Sequence, residues 1–168
     1  MINNPLKYLF MGLLLILLQI LLFNNIQFSG YVNPYVYILL ILLLPFEIPG
    51  YLLLPAGFLL GLLIDIFTNT PGIHASATTF MAFLRPSVIR IISSRDMLIS
   101  HSAPRLSQMG LSWFIRYTVI LVLAHHLFLF YMEVFSLNGF WHTLLRSLAS
   151  SAFSITVIII SQFMIYKE

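Results

Sequence analysis

Long apolar stretches separated by short polar turns dominate this chain. A helix that crosses a bilayer needs about 20 mostly apolar residues. Six stretches, two of them short, fit a membrane-spanning helix. We predict spans at residues 5–23, 34–46, 51–67, 73–92, 113–135 and 140–166. The pattern therefore indicates an all-α membrane protein, a bundle of about six transmembrane helices within a single domain, residues 1–168.

The second stretch is the weakest of the six predictions. Its apolar run, residues 34–46, covers about 20 Å at 1.5 Å per residue, whereas the hydrocarbon core is about 30 Å thick. The span could begin earlier, at Tyr31, or thin the bilayer locally. Pro45 and Pro49 could also extend it as a kinked segment.

The first stretch is expected to be a retained span rather than a cleaved signal peptide. Lys7 precedes an apolar run that is long for a signal core, and no small-x-small cleavage site follows it.

Composition narrows the function classes. Hydrophobic residues make up 60% of the 168 and charged residues 8%, whereas soluble domains carry roughly 25% charged residues. The net charge of +3 comes from eight Lys and Arg, too few for a nucleic-acid-binding surface. There is no cysteine, no G-x-S-x-G, no H-E-x-x-H and no P-loop. We therefore expect a non-enzymatic protein with no catalytic residue, cofactor or metal site.

The basic residues predict the orientation, because cytoplasmic loops of membrane proteins are enriched in Lys and Arg. With six spans, seven of the eight basic residues share one side with both termini, and only Arg146 lies on the other. The seven are Lys7, Arg85, Arg90, Arg95, Arg105, Arg116 and Lys167. A five-span alternative, with the second and third stretches merged, would move Arg85 to Arg105 outside. We therefore predict a multi-pass protein with both termini in the cytoplasm.

The longest connection, Ser93 to Ser112, mixes charged and apolar residues. Such a mixture suits an interfacial, partly helical loop. A solvated loop without this role fits the sequence equally well.

A face of the third stretch carries Gly57, Gly61 and Asp65 at a spacing of four. Two small residues let another backbone approach closely, so the acid should lie on the packed side and bond a neighbouring helix. An ion or proton site at Asp65 is the alternative. Gln19, among leucines of the first stretch, is expected to be an interhelical hydrogen-bond donor.

Several polar residues should meet in the outer half of the bundle. This predicted polar outer cluster contains Asp65, His74, Glu133, His142 and Arg146. Arg146 is expected to pair with Asp65 or Glu133, because a pair costs less in lipid than two isolated charges. Alternatively, Arg146 extends outward alone. Adjacent His125 and His126 diverge by about 100° on a helix, which favours packing roles over metal ligation.

The run from Gly57 to Ala75, GFLLGLLIDIFTNTPGIHA, resembles the central signature of the MreD family of rod-shape-determining proteins. In that family a G-x-x-x-G-x-x-x-D helix leads into a short turn, and the next helix starts after a glycine. Leu18-Gln19 and Asn33-Pro34-Tyr35 also agree, and Leu84-Arg85-Pro86 is similar to the Bacteroidetes branch. The resemblance covers about residues 10–90.

The resemblance implies a subunit of the bacterial cell-elongation complex in the cytoplasmic (inner) membrane. Such proteins bind MreC, a single-span periplasmic partner. With MreB filaments, RodA and a penicillin-binding protein, they direct lateral peptidoglycan synthesis and cell shape. The family has no known chemistry of its own, and its fold is similar to the substrate-binding components of energy-coupling-factor vitamin transporters.

That similarity suggests an alternative function, the substrate-binding component of a small-molecule transporter. A scaffold should bury the polar outer cluster against itself or a partner helix. A binding component should instead show an open outward pocket of several hundred cubic ångströms.

Overall fold

The described part of the chain, in a computed structural model, comprises residues 5–25, 32–100, 102–136 and 138–166. It is all-helical, without strands. The eight α-helices are α1 (Pro5–Leu21), α2 (Leu39–Leu43), α3 (Gly50–Thr68), α4 (Ile73–Ile92), α5 (Arg95–Ser100), α6 (Leu106–Met109), α7 (Leu111–Val134) and α8 (Phe140–Tyr166). Tyr31, a possible start of the second span, and Lys167 lie outside the described residues.

Among the described residues, four helices are long and apolar enough to cross a membrane, rather than the predicted six. They are α1, continued by a 3-10 turn through Asn25, together with α3, α7 and α8. Each begins and ends within two residues of its predicted span. Large apolar side chains cover their outward faces, as lipid contact requires; Phe10 of α1 and Leu145 of α8 are about 70% exposed.

The fourth predicted span is a helix, α4, that is as long as a span but more polar. It packs between α3 and α7 and buries small and polar residues such as Ala77, Thr78 and Ala82. Because neighbouring helices cover two of its sides, α4 does not need the uniformly apolar surface that a lipid-exposed helix needs.

The second predicted span is wrong as a continuous helix. Residues 32–49 form a segment that we call the broken segment. Within it only Leu39–Leu43 is helical, and the other residues are turn or extended chain. Residues before a proline avoid helical angles, and Leu44, before Pro45, is extended with ψ 149°. Pro34 restricts Asn33 in the same way at the other end.

The broken segment nevertheless runs lengthwise through the bundle. The Tyr35 ring lies 5.0 Å from the His74 ring at the start of α4, and the Leu44 carbonyl accepts from Arg85. These two points on α4 are about 17 Å apart at 1.5 Å per residue. Of the ten residues from Tyr35 to Leu44, nine are at most 8% exposed, and Leu40 is partly buried. The segment is therefore part of the core.

The connection after α4 contains two short helices, α5 and α6, so the partly helical interpretation is correct. Met97 and Leu98 of α5 pack against the core, whereas Arg95 and Asp96 are exposed. This division is that of an amphipathic helix.

The bundle has two ends, the Asp65 end and the Arg90 end. The Asp65 end contains the end of α3, the start of α4, the end of α7 and the start of α8. The Arg90 end contains the end of α4, helices α5 and α6, and the starts of α1, α3 and α7.

The α3–α4 contact depends on two glycines of α3. A Cβ on Gly57 would lie 3.1 Å from the Ala82 Cβ, and one on Gly61 would lie 2.5 Å from the Ala75 Cα. The α4 backbone therefore occupies the space that a side chain at Gly61 would need.

Replacing Gly61 by alanine is expected to destabilise the bundle by about 1–3 kcal/mol, because the added methyl group meets backbone rather than a movable side chain. Gly50→Ala is the matched control, since nothing lies within 4 Å of a Cβ there. Equilibrium unfolding in mixed detergent micelles measures both variants. Equal stability of Gly61→Ala and the wild type would contradict the close approach.

Candidate functional site

Asp65 joins the end of α3 to the start of α4. Its Oδ1 accepts hydrogen bonds from the Thr70 hydroxyl and the His74 N–H, both at 2.9 Å. Its Oδ2 accepts from the N–H groups of Gly72 at 3.1 Å and Ala75 at 2.9 Å. The first N–H groups of a helix have no partner within the helix, and a carboxylate suits the positive end of its dipole. Asp65 therefore caps α4 from α3.

The turn between α3 and α4 fits this arrangement. Asn69 and Gly72 adopt left-handed backbone angles, with φ of 56° and 85°. Glycine tolerates such angles without a steric penalty, and asparagine tolerates them better than most residues. The turn thereby directs three backbone N–H groups at a carboxylate that is 3% exposed.

Arg146 pairs with Glu133 rather than with Asp65. The Arg146 Nη1 lies 3.4 Å from the Glu133 Oε2. The guanidinium also lies over the Phe130 ring, 4.6 Å from its centroid. In the orientation of the Asn33 side-chain amide that satisfies its neighbours, the amide oxygen accepts a hydrogen bond from Arg146 Nη2 at 2.9 Å. Of the two partners the sequence left open, the structure selects Glu133, on the helix antiparallel to that of Arg146.

Gln19 bonds the broken segment rather than another helix. Its Nε2 donates to the Pro34 carbonyl at 3.0 Å and to the Asn24 side chain at 2.8 Å. Its Oε1 accepts from the N–H of Val36 at 2.8 Å and of Tyr37 at 3.4 Å. A fully buried amide thus satisfies three polar groups of non-helical backbone.

Two serines of α8 also pair backbone groups of the broken segment, from the side opposite Gln19. The Ser150 hydroxyl accepts from the Asn33 N–H at 3.0 Å, and the Ser154 hydroxyl accepts from the Tyr35 N–H at 2.9 Å. Unpaired backbone groups are costly away from water. The start of the broken segment is therefore paired from both α1 and α8.

The Tyr37 hydroxyl lies at the centre of a buried polar group formed by three elements. It is 3.1 Å from the His74 Nδ1, the Thr78 hydroxyl and the His125 Nε2. The adjacent His126 instead bonds the Val122 carbonyl and the Ser154 hydroxyl. The two adjacent histidines therefore serve different partners. Among the described residues, no group of three or more His, Asp or Glu side chains is placed to hold a metal ion.

Arg85 is a buried polar residue whose role sequence reasoning missed. It is 1% exposed, donates from Nε to the Tyr117 hydroxyl at 2.9 Å, and donates from Nη2 to the carbonyls of Leu44 and Pro45. Tyr117 in turn donates to the Leu42 carbonyl at 2.9 Å. The position of Arg85 inside an apolar stretch was the available signal of burial. The charge pattern was used only to place Arg85 on the cytoplasmic side of the membrane.

A half-open cavity of about 310 Å³ lies at the Asp65 end. Its walls combine aromatic and apolar side chains with hydroxyl, amide, imidazole and carboxylate groups. Residues of the wall include Phe23, Asn33, Tyr35, Phe67, Thr70, His74 and Glu133. The cavity therefore provides hydrogen-bonding groups beside apolar surface, at one end of the broken segment.

The structure brings part of the predicted polar outer cluster together. His74 and Glu133 line the cavity. Asp65 bonds the wall residues Thr70 and His74, and Arg146 bonds the wall residues Glu133 and Asn33. His142 lies on the exposed first turn of α8 and does not line the cavity. Gly57 and Gly61 lie on the α3–α4 contact, away from the cavity walls.

Comparison with known proteins identifies no relative: no family model, no curated protein and no solved structure matches this chain.

Replacing Asp65 by asparagine is expected to lower the free energy of unfolding by about 2–4 kcal/mol. The amide keeps one acceptor oxygen, and its NH2 group faces N–H donors that then lack a partner. Asp96→Asn, on the exposed face of α5, is the matched control and should change stability by less than about 0.5 kcal/mol. Unfolding in mixed micelles compares them, and equal effects would contradict the cap.

Arg85 and Tyr117 are expected to be energetically coupled. A double-mutant cycle of Arg85→Met and Tyr117→Phe should give a coupling energy of about 0.5–3 kcal/mol, because the two side chains share one hydrogen bond and adjoining carbonyls. The control cycle combines Arg85→Met with Tyr131→Phe, because the Tyr131 hydroxyl bonds the Phe140 carbonyl at the other end of the bundle. Additive effects of Arg85→Met and Tyr117→Phe would show that the two residues act separately.

Proposed function

We propose that this chain is a non-enzymatic membrane subunit of the bacterial cell-elongation complex, which binds MreC and helps to direct lateral peptidoglycan synthesis. The resemblance of residues 57–75 to the MreD signature supports this proposal. The observation that carries it is that the signature residues use their polar and steric properties to hold the fold together.

Asp65 illustrates the argument. A carboxylate that serves as an ion or proton site needs oxygen lone pairs directed at a ligand or at water. Both oxygens of Asp65 instead accept two hydrogen bonds each from the turn and the first residues of α4. Gly57 and Gly61 provide only close approach. A signature made of packing and capping residues fits a protein that acts through its surface, as a partner-binding subunit does.

The proposed topology has six crossings, of which the broken segment is the second. Non-helical backbone is tolerated at membrane depth where protein surrounds it and satisfies its polar groups, as Gln19, Ser150 and Ser154 do here. Alternating directions then place both termini at the Arg90 end. The fold this implies is similar to the substrate-binding components of energy-coupling-factor transporters.

The orientation in the cytoplasmic membrane follows from the basic residues. Five basic side chains of the described residues belong to the Arg90 end: Lys7, Arg90, Arg95, Arg105 and Arg116. The buried Arg85 lies in the same half of α4 as Arg90. Arg146 belongs to the Asp65 end. The positive-inside rule therefore makes the Arg90 end cytoplasmic and turns the cavity toward the periplasm, where MreC has its main domain.

The cavity favours one alternative function, the substrate-binding component of a small-molecule transporter. Its volume of about 310 Å³ is at the lower limit of ligand sites, and its wall combines apolar and hydrogen-bonding groups. In that case a ligand would lie against Tyr35, His74 and Glu133.

Affinity purification of the tagged chain from mild detergent tests both functions. We expect MreC, with RodA and the penicillin-binding protein, to co-purify, because the proposed role is to bind them. Mass spectrometry of the purified sample identifies proteins and small molecules together. Recovery of a vitamin and an ATPase, without MreC, would contradict the elongation-complex proposal and support the transporter alternative.

A cavity-filling variant makes the comparison sharper. Ile73→Trp adds volume to the cavity wall, whereas Ile91→Trp adds the same volume on an exposed face of the same helix. A transporter component should lose its small molecule in Ile73→Trp alone. A subunit that binds MreC away from both positions should retain MreC in both variants.

A further inference from the structure

The Arg90 end carries an exposed set of cations, which orient the chain in the proposed function but have no binding role in it. Lys7, Arg90, Arg95 and Arg116 are exposed, and Arg105 is partly buried. The acids of the described residues at this end are Glu47 and Asp96. The end is therefore positively charged, unlike the Asp65 end with its Asp65, Glu133 and Arg146.

Two of these cations lie at the same depth on neighbouring antiparallel helices. The Trp113 Nε1 donates to the Ser93 hydroxyl at 3.0 Å, which sets the register between the start of α7 and the end of α4. Arg90 precedes Ser93 by three residues, and Arg116 follows Trp113 by three. Both arginines therefore lie about 5 Å further into the bundle than that contact, at 1.5 Å per residue.

Both arginines lie on helix faces that also carry exposed apolar side chains. Phe83, seven residues before Arg90, is 65% exposed, and Ile120, four residues after Arg116, is 43% exposed. Residues at these spacings share one helix face. The aliphatic and aromatic groups suit acyl chains, and a guanidinium on such a face suits a lipid headgroup. This position favours lipid over a soluble acidic protein.

Each guanidinium is also held by its own helix. The Arg90 Nε donates to the Pro86 carbonyl and an Nη2 group to the Ser87 hydroxyl, and the Arg116 Nε donates to the Ser112 carbonyl. An arginine has five N–H donors, so donors remain for an external anion. A guanidinium can bind a phosphate group, as it can a carboxylate, through two parallel hydrogen bonds.

We propose that Arg90 and Arg116 bind the headgroups of anionic phospholipids in the cytoplasmic leaflet, with Phe83 and Ile120 against the acyl chains. Each basic residue near an anionic surface strengthens binding by roughly fivefold. Removing both charges should therefore weaken binding of an anionic lipid by roughly 25-fold.

Native mass spectrometry of the detergent-purified full chain tests the proposal. The probes are dioleoyl phosphatidylglycerol and dioleoyl phosphatidylcholine, which share acyl chains and differ in headgroup charge. We expect the wild type to prefer phosphatidylglycerol, Arg90→Gln/Arg116→Gln to lose the preference, and Arg90→Lys/Arg116→Lys to keep most of it. Lys7→Gln, which removes one cation of the same end on α1 and leaves both guanidiniums in place, is the control and should keep most of the preference.

Equal affinity of the wild type for the two lipids would overturn the proposal. A preference that survives in the double glutamine variant would also overturn it. If the purified chain shows no lipid preference but the glutamine variant loses an acidic protein that co-purifies with the wild type, the surface binds protein and the lipid assignment is wrong. The lysine variant, which keeps both charges, separates a loss of binding from a loss of folding.

Discussion

The structure depends on one requirement, the pairing of backbone polar groups that are buried away from water. Helices meet this requirement within themselves, but the broken segment does not. Its N–H and carbonyl groups are paired by side chains from four surrounding helices: Gln19 of α1, Arg85 of α4, Tyr117 of α7, and Ser150 and Ser154 of α8. Four of the buried polar residues in the described part of the chain, Gln19, Arg85, Ser150 and Ser154, therefore bond this backbone.

The α3–α4 hairpin is the second fixed unit, and it meets the broken segment at one place. Asp65 caps α4 while Gly57 and Gly61 bring the two helices into contact. The cap fixes the first turn of α4, which carries His74 to the Tyr37 hydroxyl. A change in the hairpin would therefore move a partner of the broken segment. This connection links the packing and capping residues of the hairpin to the position of the broken segment.

The two ends of the bundle differ in chemistry, and the difference has a physical origin. At the Asp65 end, charges are satisfied internally, by the α4 cap and by the Glu133–Arg146 pair, which leaves a cavity with mixed polar and apolar walls. At the Arg90 end, several cations remain on the surface. An internally satisfied end suits shape-specific contacts, whereas surface cations act over a longer range on anionic headgroups.

The sequence by itself determined the four apolar helices and the face of α3 that carries Gly57, Gly61 and Asp65. Both follow from local patterns, because apolar length and a spacing of four are properties of one helix. Only the tertiary structure decided the broken segment, the burial of Arg85 and the choice of Glu133 for Arg146. The local pattern predicted a helix at residues 34–46, because the stretch is rich in Leu and Ile. Such a composition does not show that side chains of other helices can pair the backbone of this stretch. That pairing requires groups far apart in the chain, such as Gln19 and Ser154, to reach the same stretch of backbone.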